Sequence, residues 1–276
     1  MICPNCGAEI DGNSKFCENC GTKVQRQEAQ VQPALGEKQL AAAGTATLAL
    51  GKAARQARLE ADYSDAQIIS EKAYNSILIG VVLWGLLINA VLCAVAGGFV
   101  NSLNPAVFLI GYIVCVVLGI LLSSRSRNPV LSFLGYNLIV VPFGLVIASL
   151  VEGYGGMDSV VVRDAFIYTA LITAGMLAST FAFPELFKKL GGALAGCLIG
   201  LVLCEIVLLI FRVPQVITDW IAAGLFSLYI GFDIYRSQRF EKTVDNAVDC
   251  ALDIYLDIAN LFIRLLRIMA RSKKND

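Results

Sequence analysis

The chain has 276 residues, of which 57% are hydrophobic and 16% are charged. This balance is too apolar and too poor in charge for an ordinary soluble domain, so the composition places the chain in a lipid bilayer. The formal net charge is zero and no long basic stretch is present, which argues against nucleic acid as a partner. Histidine is absent, so any proton sensing must use carboxylates instead of imidazole.

Two Cys-x-x-Cys-Gly turns lie in residues 1–24. Cys3 and Cys6 form the first pair, Cys17 and Cys20 form the second, and the glycine after each pair permits a tight left-handed turn. Four thiolates at this spacing predict a closed structural zinc ribbon, with iron in a rubredoxin-like site as a minor alternative. A redox dithiol would need a βαβ scaffold that the sequence does not provide.

The segments CPNCGAEI and FCENCGTKV resemble the N-terminal zinc-ribbon module of prokaryotic membrane proteins. Because so short a segment buries little apolar surface, we expect zinc binding and folding to be one event. Thiolate ligands persist best in a reducing compartment, so the N-terminus should be cytoplasmic. We therefore expect an integral protein of a prokaryotic plasma membrane, in contact with membrane lipid.

Residues 25–70 are rich in Gln, Ala, Glu and Lys, which predicts a flexible linker that becomes a helical approach to the membrane from about residue 52. Hydrophobic runs follow, each close to the ~20 residues that a helix needs to cross a bilayer. The runs cover residues 76–100, 105–123, 130–151, 164–183, 191–211, 216–236 and 245–269. The predicted fold class is an all-α membrane protein, with a seven-transmembrane-helix bundle over residues 71–271 and a tail at 272–276.

The loops after the second, fourth and sixth runs are basic, and the positive-inside rule places basic loops in the cytoplasm. Their basic residues are Arg125, Arg127, Lys188, Lys189, Arg236, Arg239 and Lys242. Seven full spans would put Arg271, Lys273 and Lys274 outside, against the same rule. Either the last run is re-entrant or bundle packing overrides the charge bias, and we favour the full span.

The last run contains aspartates at four-residue spacing, at positions 245, 249, 253 and 257, followed by Asn260. At about 2.5 to 3.5 kcal/mol for each central charge, such a helix cannot face lipid, so we expect it inside the bundle. Four residues turn a helix by about 400°, so the carboxylates form one stripe. Asp245 and Asp249 lie in the first turns, where the helix dipole and the water interface explain them. Asp253 and Asp257 lie deeper.

Asp233 lies near the end of the sixth run. It is either a further acid within the membrane or a residue at the membrane–water interface. If the last two helices are antiparallel neighbours, Asp233 and Asp257 meet at similar depth. Two carboxylates in a partly dry site cannot both ionise cheaply, so the pair would hold one proton and titrate as a unit. Arg125 or Arg127 could latch onto the ionised pair or serve only as a membrane anchor. Glu205 is a further candidate pathway residue.

The segments FSLYIGFDIYRSQ and ALDIYLDIANLFIRLLRI, in which Asp233 and Asp257 are 24 positions apart, resemble the signature of the Bax inhibitor-1 (transmembrane Bax inhibitor motif) family. The resemblance covers roughly residues 70–271. It implies seven helices with the last in the centre and, as in some members, a pH-sensitive calcium leak gated by an aspartate pair. The pair falls on Asp233 and Asp257. The family's latch arginine, at the end of the second helix, falls near Arg125 and Arg127.

The leading functional hypothesis is a pH-regulated leak for Ca²⁺ or another cation, with Asp233 and Asp257 as pH sensor and gate. Asp253, Asn260 and Glu205 are accessory pathway residues. The alternative is a non-conducting regulator whose zinc ribbon docks a cytoplasmic protein partner, such as a membrane protease. We do not expect an enzyme, because no nucleophile and base are paired in the sequence and histidine is absent.

Overall fold

The computed structural model describes residues 67–102, 105–125, 128–211 and 216–275, together with Leu59. The predicted zinc ribbon and almost all of the predicted linker lie outside the described residues. The described part of the chain forms helices α1 (Glu71–Val95), α2 (Gly97–Ser102), α3 (Pro105–Arg125), α4 (Pro129–Gly153), α5 (Val160–Ala182), α6 (Pro184–Ile210), α7 (Val216–Ser237) and α8 (Val244–Asn275).

Several helices begin directly after a residue whose side chain caps the first turn. The Ser70 hydroxyl accepts a 3.3 Å hydrogen bond from an amide in the first turn of α1. The Asn128 side chain accepts a 2.9 Å bond from a first-turn amide of α4, and Pro129 follows it at the first helical position. Thr243 caps α8 in the same way at 3.1 Å. Each cap satisfies a backbone donor that has no partner within its helix, which fixes where that helix starts.

The first predicted hydrophobic run, 76–100, is divided in the structure. Helix α1 ends at Val95, and the short α2 begins at Gly97. A Cβ atom at Gly97 would lie 2.9 Å from the Glu152 Cβ atom and 3.1 Å from the Ala148 carbonyl oxygen. Glycine is therefore required here for the close approach of α2 to α4.

The outer surface of the bundle is apolar, as a membrane protein requires. On α1, Leu83, Leu87 and Val91 are exposed, whereas Leu78 and Val82 on the other face are buried. A continuous apolar surface of this kind is stable only against lipid or another protein. By length and composition, α1, α4, α5, residues 184–205 of α6, and α7 could each cross a membrane, and α3 has a shorter apolar stretch, Ile110–Ser123. The described part of the chain is thus all-helical, and the protein is an integral membrane protein.

Helix α8 lies inside the bundle, as the spacing of its aspartates predicts. It packs against α1, α4, α5 and α7, and Tyr255 and Leu261 on it are fully buried. Helices α7 and α8 are joined by the turn at residues 238–243 and run antiparallel. We call the end of the bundle at this turn the hairpin end and the opposite end the distal end.

Candidate functional site

Five carboxylates of α7 and α8 are buried near the hairpin end. They are Asp233, Asp245, Asp249, Asp253 and Asp257, and each is 3% exposed or less. Asp245 and Asp249, which the sequence explains by the helix dipole and the water interface, are not exposed to water, because the neighbouring helices cover the start of α8. Helix α4 contributes the Ser132 hydroxyl, which donates a hydrogen bond to the Asp245 carboxylate.

Arg236, one turn after Asp233 on α7, lies among the deeper aspartates. Its Nη2 atom donates a 2.8 Å hydrogen bond to the Asp253 Oδ2 atom and lies 3.4 Å from the Asp233 Oδ1 atom. Asp257 is close enough to interact electrostatically with the same guanidinium. The Arg236 side chain is only 15% exposed. We call Asp233, Arg236, Asp253 and Asp257 the acid-rich site.

The charge of the acid-rich site depends on how many protons or cations it holds. Among the residues that the structure describes, full ionisation would leave the positive charge of Arg236 facing three buried carboxylates. Burying uncompensated charge is costly, so a proton, a metal ion or a further basic group is needed to balance the excess. Within the described ranges, no three acidic or thiol groups are arranged to hold a metal ion together.

The hairpin end closes over the acid-rich site through contacts between α1 and the turn. The Tyr74 hydroxyl donates a 2.9 Å hydrogen bond to the Ser237 carbonyl oxygen. The backbone amide of Ile69 donates to the Lys242 carbonyl oxygen at 2.7 Å. Burial lowers the pKa of the Lys242 ammonium from its ordinary value, and nearby Cys250 and Glu71 oppose that shift. The start of α1 is thus tied to the turn that positions Asp233 and Asp253.

The predicted latch cannot be placed from the described residues, since the Arg125 side chain and all of Arg127 lie outside them. The structure instead puts Arg236 against the acids, a residue that sequence reasoning treated as a loop charge. The sequence did contain a signal for this contact. Arg236 follows Asp233 by three residues, and residues i and i+3 lie on the same face of a helix. Asn260 donates its side-chain amide to the Leu256 carbonyl oxygen of its own helix at 2.7 Å.

A second charged group lies toward the distal end and ties α6, α7 and α8 together. Arg264 forms two hydrogen bonds with the Glu205 carboxylate, at 2.5 and 2.9 Å. The fully buried Asp219 carboxylate lies 2.9 Å from an Arg264 nitrogen, 3.0 Å from an Arg267 nitrogen and 2.6 Å from an Arg271 nitrogen. We call these five residues the arginine cluster.

Sequence reasoning selected Glu205 without a partner and missed Asp219 altogether. An acid in the first turn of a helix is usually explained by the helix dipole, so Asp219 gave no special signal. The spacing of Arg264, Arg267 and Arg271 did give one, because residues at i, i+3 and i+7 lie on one helix face. Such a face predicts an acidic partner on a neighbouring helix.

Comparison with known proteins identifies both parts of the chain. A sequence model of the family described as inhibitor of apoptosis-promoting Bax1 matches residues 67–275, and a zinc-ribbon domain model matches residues 2–24. The chain is 27% identical to "Bax inhibitor 1" of Schizosaccharomyces pombe over 190 residues, which cover 66% of this chain and 68% of that protein.

Two further relatives cover shorter regions. "Protein lifeguard 4" of Mus musculus is 30% identical over 132 residues, 47% of this chain and 54% of that protein. The "Golgi anti-apoptotic protein" of Vaccinia virus is 30% identical over 154 residues, 54% of this chain and 62% of that protein. Since the family model matches nearly all of the described residues, the chain belongs to the Bax inhibitor-1 (transmembrane Bax inhibitor motif) family.

Proposed function

We propose that this protein is a pH-regulated leak pathway for Ca²⁺ or another cation through a bundle of seven spans, with Asp233 and Asp257 as the paired proton site. The observation that supports it most is the acid-rich site itself. Three carboxylates, each 3% exposed or less, surround one arginine between the last two helices. Ionisable groups at membrane depth are costly and usually mark ion or proton pathways.

The cross-helix contact of Arg236 suggests how protons would act. Arg236 belongs to α7 and its 2.8 Å partner Asp253 belongs to α8, whereas Asp233 is a partner on its own helix. Protonating one of these acids changes which carboxylates Arg236 can bind and how strongly α7 is held to α8. Proton uptake thereby changes both the field and the packing of the central helix. Carboxylate oxygens are ligands that suit a hard cation such as Ca²⁺ in transit.

The test is Ca²⁺ flux into proteoliposomes measured from pH 5 to pH 8. Wild-type flux should change with pH, and Asp257→Asn, which removes one ionisable group of the pair, should flatten or shift that profile. Asp158→Asn is the matched control, since Asp158 lies exposed in the loop between α4 and α5 and should keep the wild-type profile. Wild-type flux that ignores pH, or an Asp257→Asn profile equal to that of wild type, would refute the proposal.

The zinc-ribbon match favours a second, separable role in binding a cytoplasmic protein partner. The donor set fits the metal, because two Cys-x-x-Cys pairs offer the four thiolates that a closed tetrahedral zinc site requires. Cys3, Cys6, Cys17 and Cys20 would hold the ion, which would supply folding energy and no chemistry. Deleting residues 1–24 should leave flux intact. A chain without flux at any pH would instead favour a non-conducting regulator that acts through the ribbon.

A further inference from the structure

The arginine cluster has more positive than negative charge. Three guanidinium groups, from Arg264, Arg267 and Arg271, face two carboxylates, from Glu205 and Asp219. The two carboxylates do not accept hydrogen bonds from all of the guanidinium N–H groups. Arg264 Nε and Arg271 Nη1 are buried without a hydrogen-bond partner in the described part of the chain. A buried donor without an acceptor destabilises the folded state, so the cluster is suited to an additional anion.

The position of the cluster indicates which anions it can meet. Arg264 follows Val244, the first residue of α8, by 20 positions, or about 30 Å at 1.5 Å per residue. That length equals the hydrocarbon thickness of a bilayer, about 30 Å. Trp220, which follows Asp219 in the chain, is 62% exposed on the outside of α7, and tryptophan is enriched at the membrane interface. With the start of α8 at one membrane interface, both observations support a position of the cluster at the level of the lipid headgroups of the other leaflet.

The outer arginines are accessible from that level. The side chains of Arg267 and Arg271 are 24% and 35% exposed, whereas that of Arg264 is 12% exposed. Asp219 and Glu205 hold the arginines from the inside and so orient their remaining N–H groups. Preoriented guanidinium forks match the oxygen atoms of a phosphate group and bind them in pairs. Lys273 and Lys274 continue the basic sequence of α8 beyond Arg271.

We propose that the arginine cluster binds a phosphate group, supplied by the headgroup of an anionic phospholipid in the leaflet at the distal end. Arg267 and Arg271 contact the phosphate, and Asp219 is a positioning residue that holds both arginines. This site lies at the opposite end of α8 from the start of the aspartate stripe, and it does not depend on the proposed leak activity.

The experiment compares lipid binding by full-length protein in dodecyl maltoside, read by native mass spectrometry and by the melting temperature. Phosphatidylglycerol should bind and raise the melting temperature, and phosphatidylcholine should bind at least tenfold more weakly. In the variant Arg267→Gln/Arg271→Gln, the affinity for phosphatidylglycerol should fall about tenfold or more, because charge-assisted hydrogen bonds are lost. The single variant Arg271→Gln, which alters the most exposed arginine, should show a smaller loss and covers the case in which the double variant does not fold.

A matched control exists at the same end of the bundle. Ser132 near the start of α4 binds Asp245 near the start of α8, so the two helices run parallel and α5 begins at the distal end. Arg163, in the first turn of α5, is 64% exposed and pairs only at 3.3 Å with neighbouring Asp164 among the described residues. Arg163→Gln removes the same charge from the same end, and phosphatidylglycerol affinity should stay within twofold of wild type.

Three outcomes would overturn the proposal. Equal binding of both lipids would show that the net negative charge of the lipid does not contribute to binding. Wild-type affinity in both the single and the double variant would show that Arg267 and Arg271 do not contact the lipid. If Arg163→Gln loses as much affinity for phosphatidylglycerol as the arginine-cluster variants do, binding depends on general surface charge and not on a specific site. A further arm adds inorganic phosphate without lipid. If phosphate alone raises the melting temperature as much as phosphatidylglycerol does, and the double variant abolishes that rise, the phosphate site stands and its assignment to lipid is overturned.

Discussion

Replacing Arg236 by glutamine should destabilise the protein through the charge that it leaves behind. Arg236 lies 2.8 Å from the Asp253 carboxylate, which is 1% exposed, and 3.4 Å from that of Asp233. Removing one partner of a buried ion pair typically costs about 3–5 kcal/mol. The exposed pair Arg163 and Asp164, at 3.3 Å with side chains 64% and 39% exposed, sets the comparison, because such pairs contribute about 0.2–1 kcal/mol. The measurement is reversible unfolding in mixed micelles of dodecyl maltoside and sodium dodecyl sulfate.

A double-mutant cycle decides whether charge is the cause. Adding Asp253→Asn to Arg236→Gln removes a carboxylate that lost its partner, so the double variant should lose less than the sum of the single losses, by about 0.5–3 kcal/mol. The reasoning is refuted if Arg236→Gln unfolds within about 1 kcal/mol of Arg163→Gln. Strict additivity in the cycle would refute it as well.

Two further predictions concern packing and metal content. A Cβ atom at Gly119 in α3 would lie 2.7 Å from the Gly135 carbonyl oxygen, whereas one at Gly111 meets nothing within 4 Å. Gly119→Ala should therefore lower the free energy of unfolding by about 1–3 kcal/mol in the same assay. The control Gly111→Ala should stay within about 0.5 kcal/mol of wild type. Equal losses in the two variants would contradict the close approach of α3 and α4. Purified full-length protein should contain one zinc per chain by elemental mass spectrometry, and Cys17→Ser should lose it while Cys197→Ser, at an exposed cysteine, retains it.

The helices could be predicted from the sequence because the information that fixes them is local. Hydrophobic runs predicted the approximate extent of most helices, and the structure adds the side-chain caps at Ser70 and Asn128 that fix where two of them start. The division after Val95 was missed because the run stays apolar across it. Only the contact of Gly97 with α4 reveals why the chain must turn there.

The partners of the buried charges could not be predicted in the same way. The depth of Asp233 and Asp257 followed from the cost of charge in a membrane. The role of Asp219 did not, since it meets Arg264, 45 residues further along the chain. Such a contact is set by which helices pack together, and sequence periodicity carries no information about that packing. Arg236 was missed for a related reason: a basic residue at a helix end looks like a membrane anchor until its buried neighbours are known.

The two charged sites divide α8 into an acidic half and a basic half, which limits how a leak could work. Arg264 follows Asp257 by seven positions, about 10 Å of helix, and Ile258 and Leu261 between them are buried. A cation that reached the acid-rich site would meet this dry layer next, where an unpaired charge is strongly disfavoured. Beyond it, the excess positive charge of the arginine cluster would repel the same ion. If the proposed leak exists, its opening requires α8 to move relative to its neighbours, and rearrangement of the Arg236 contacts is the step at which proton binding would drive that movement.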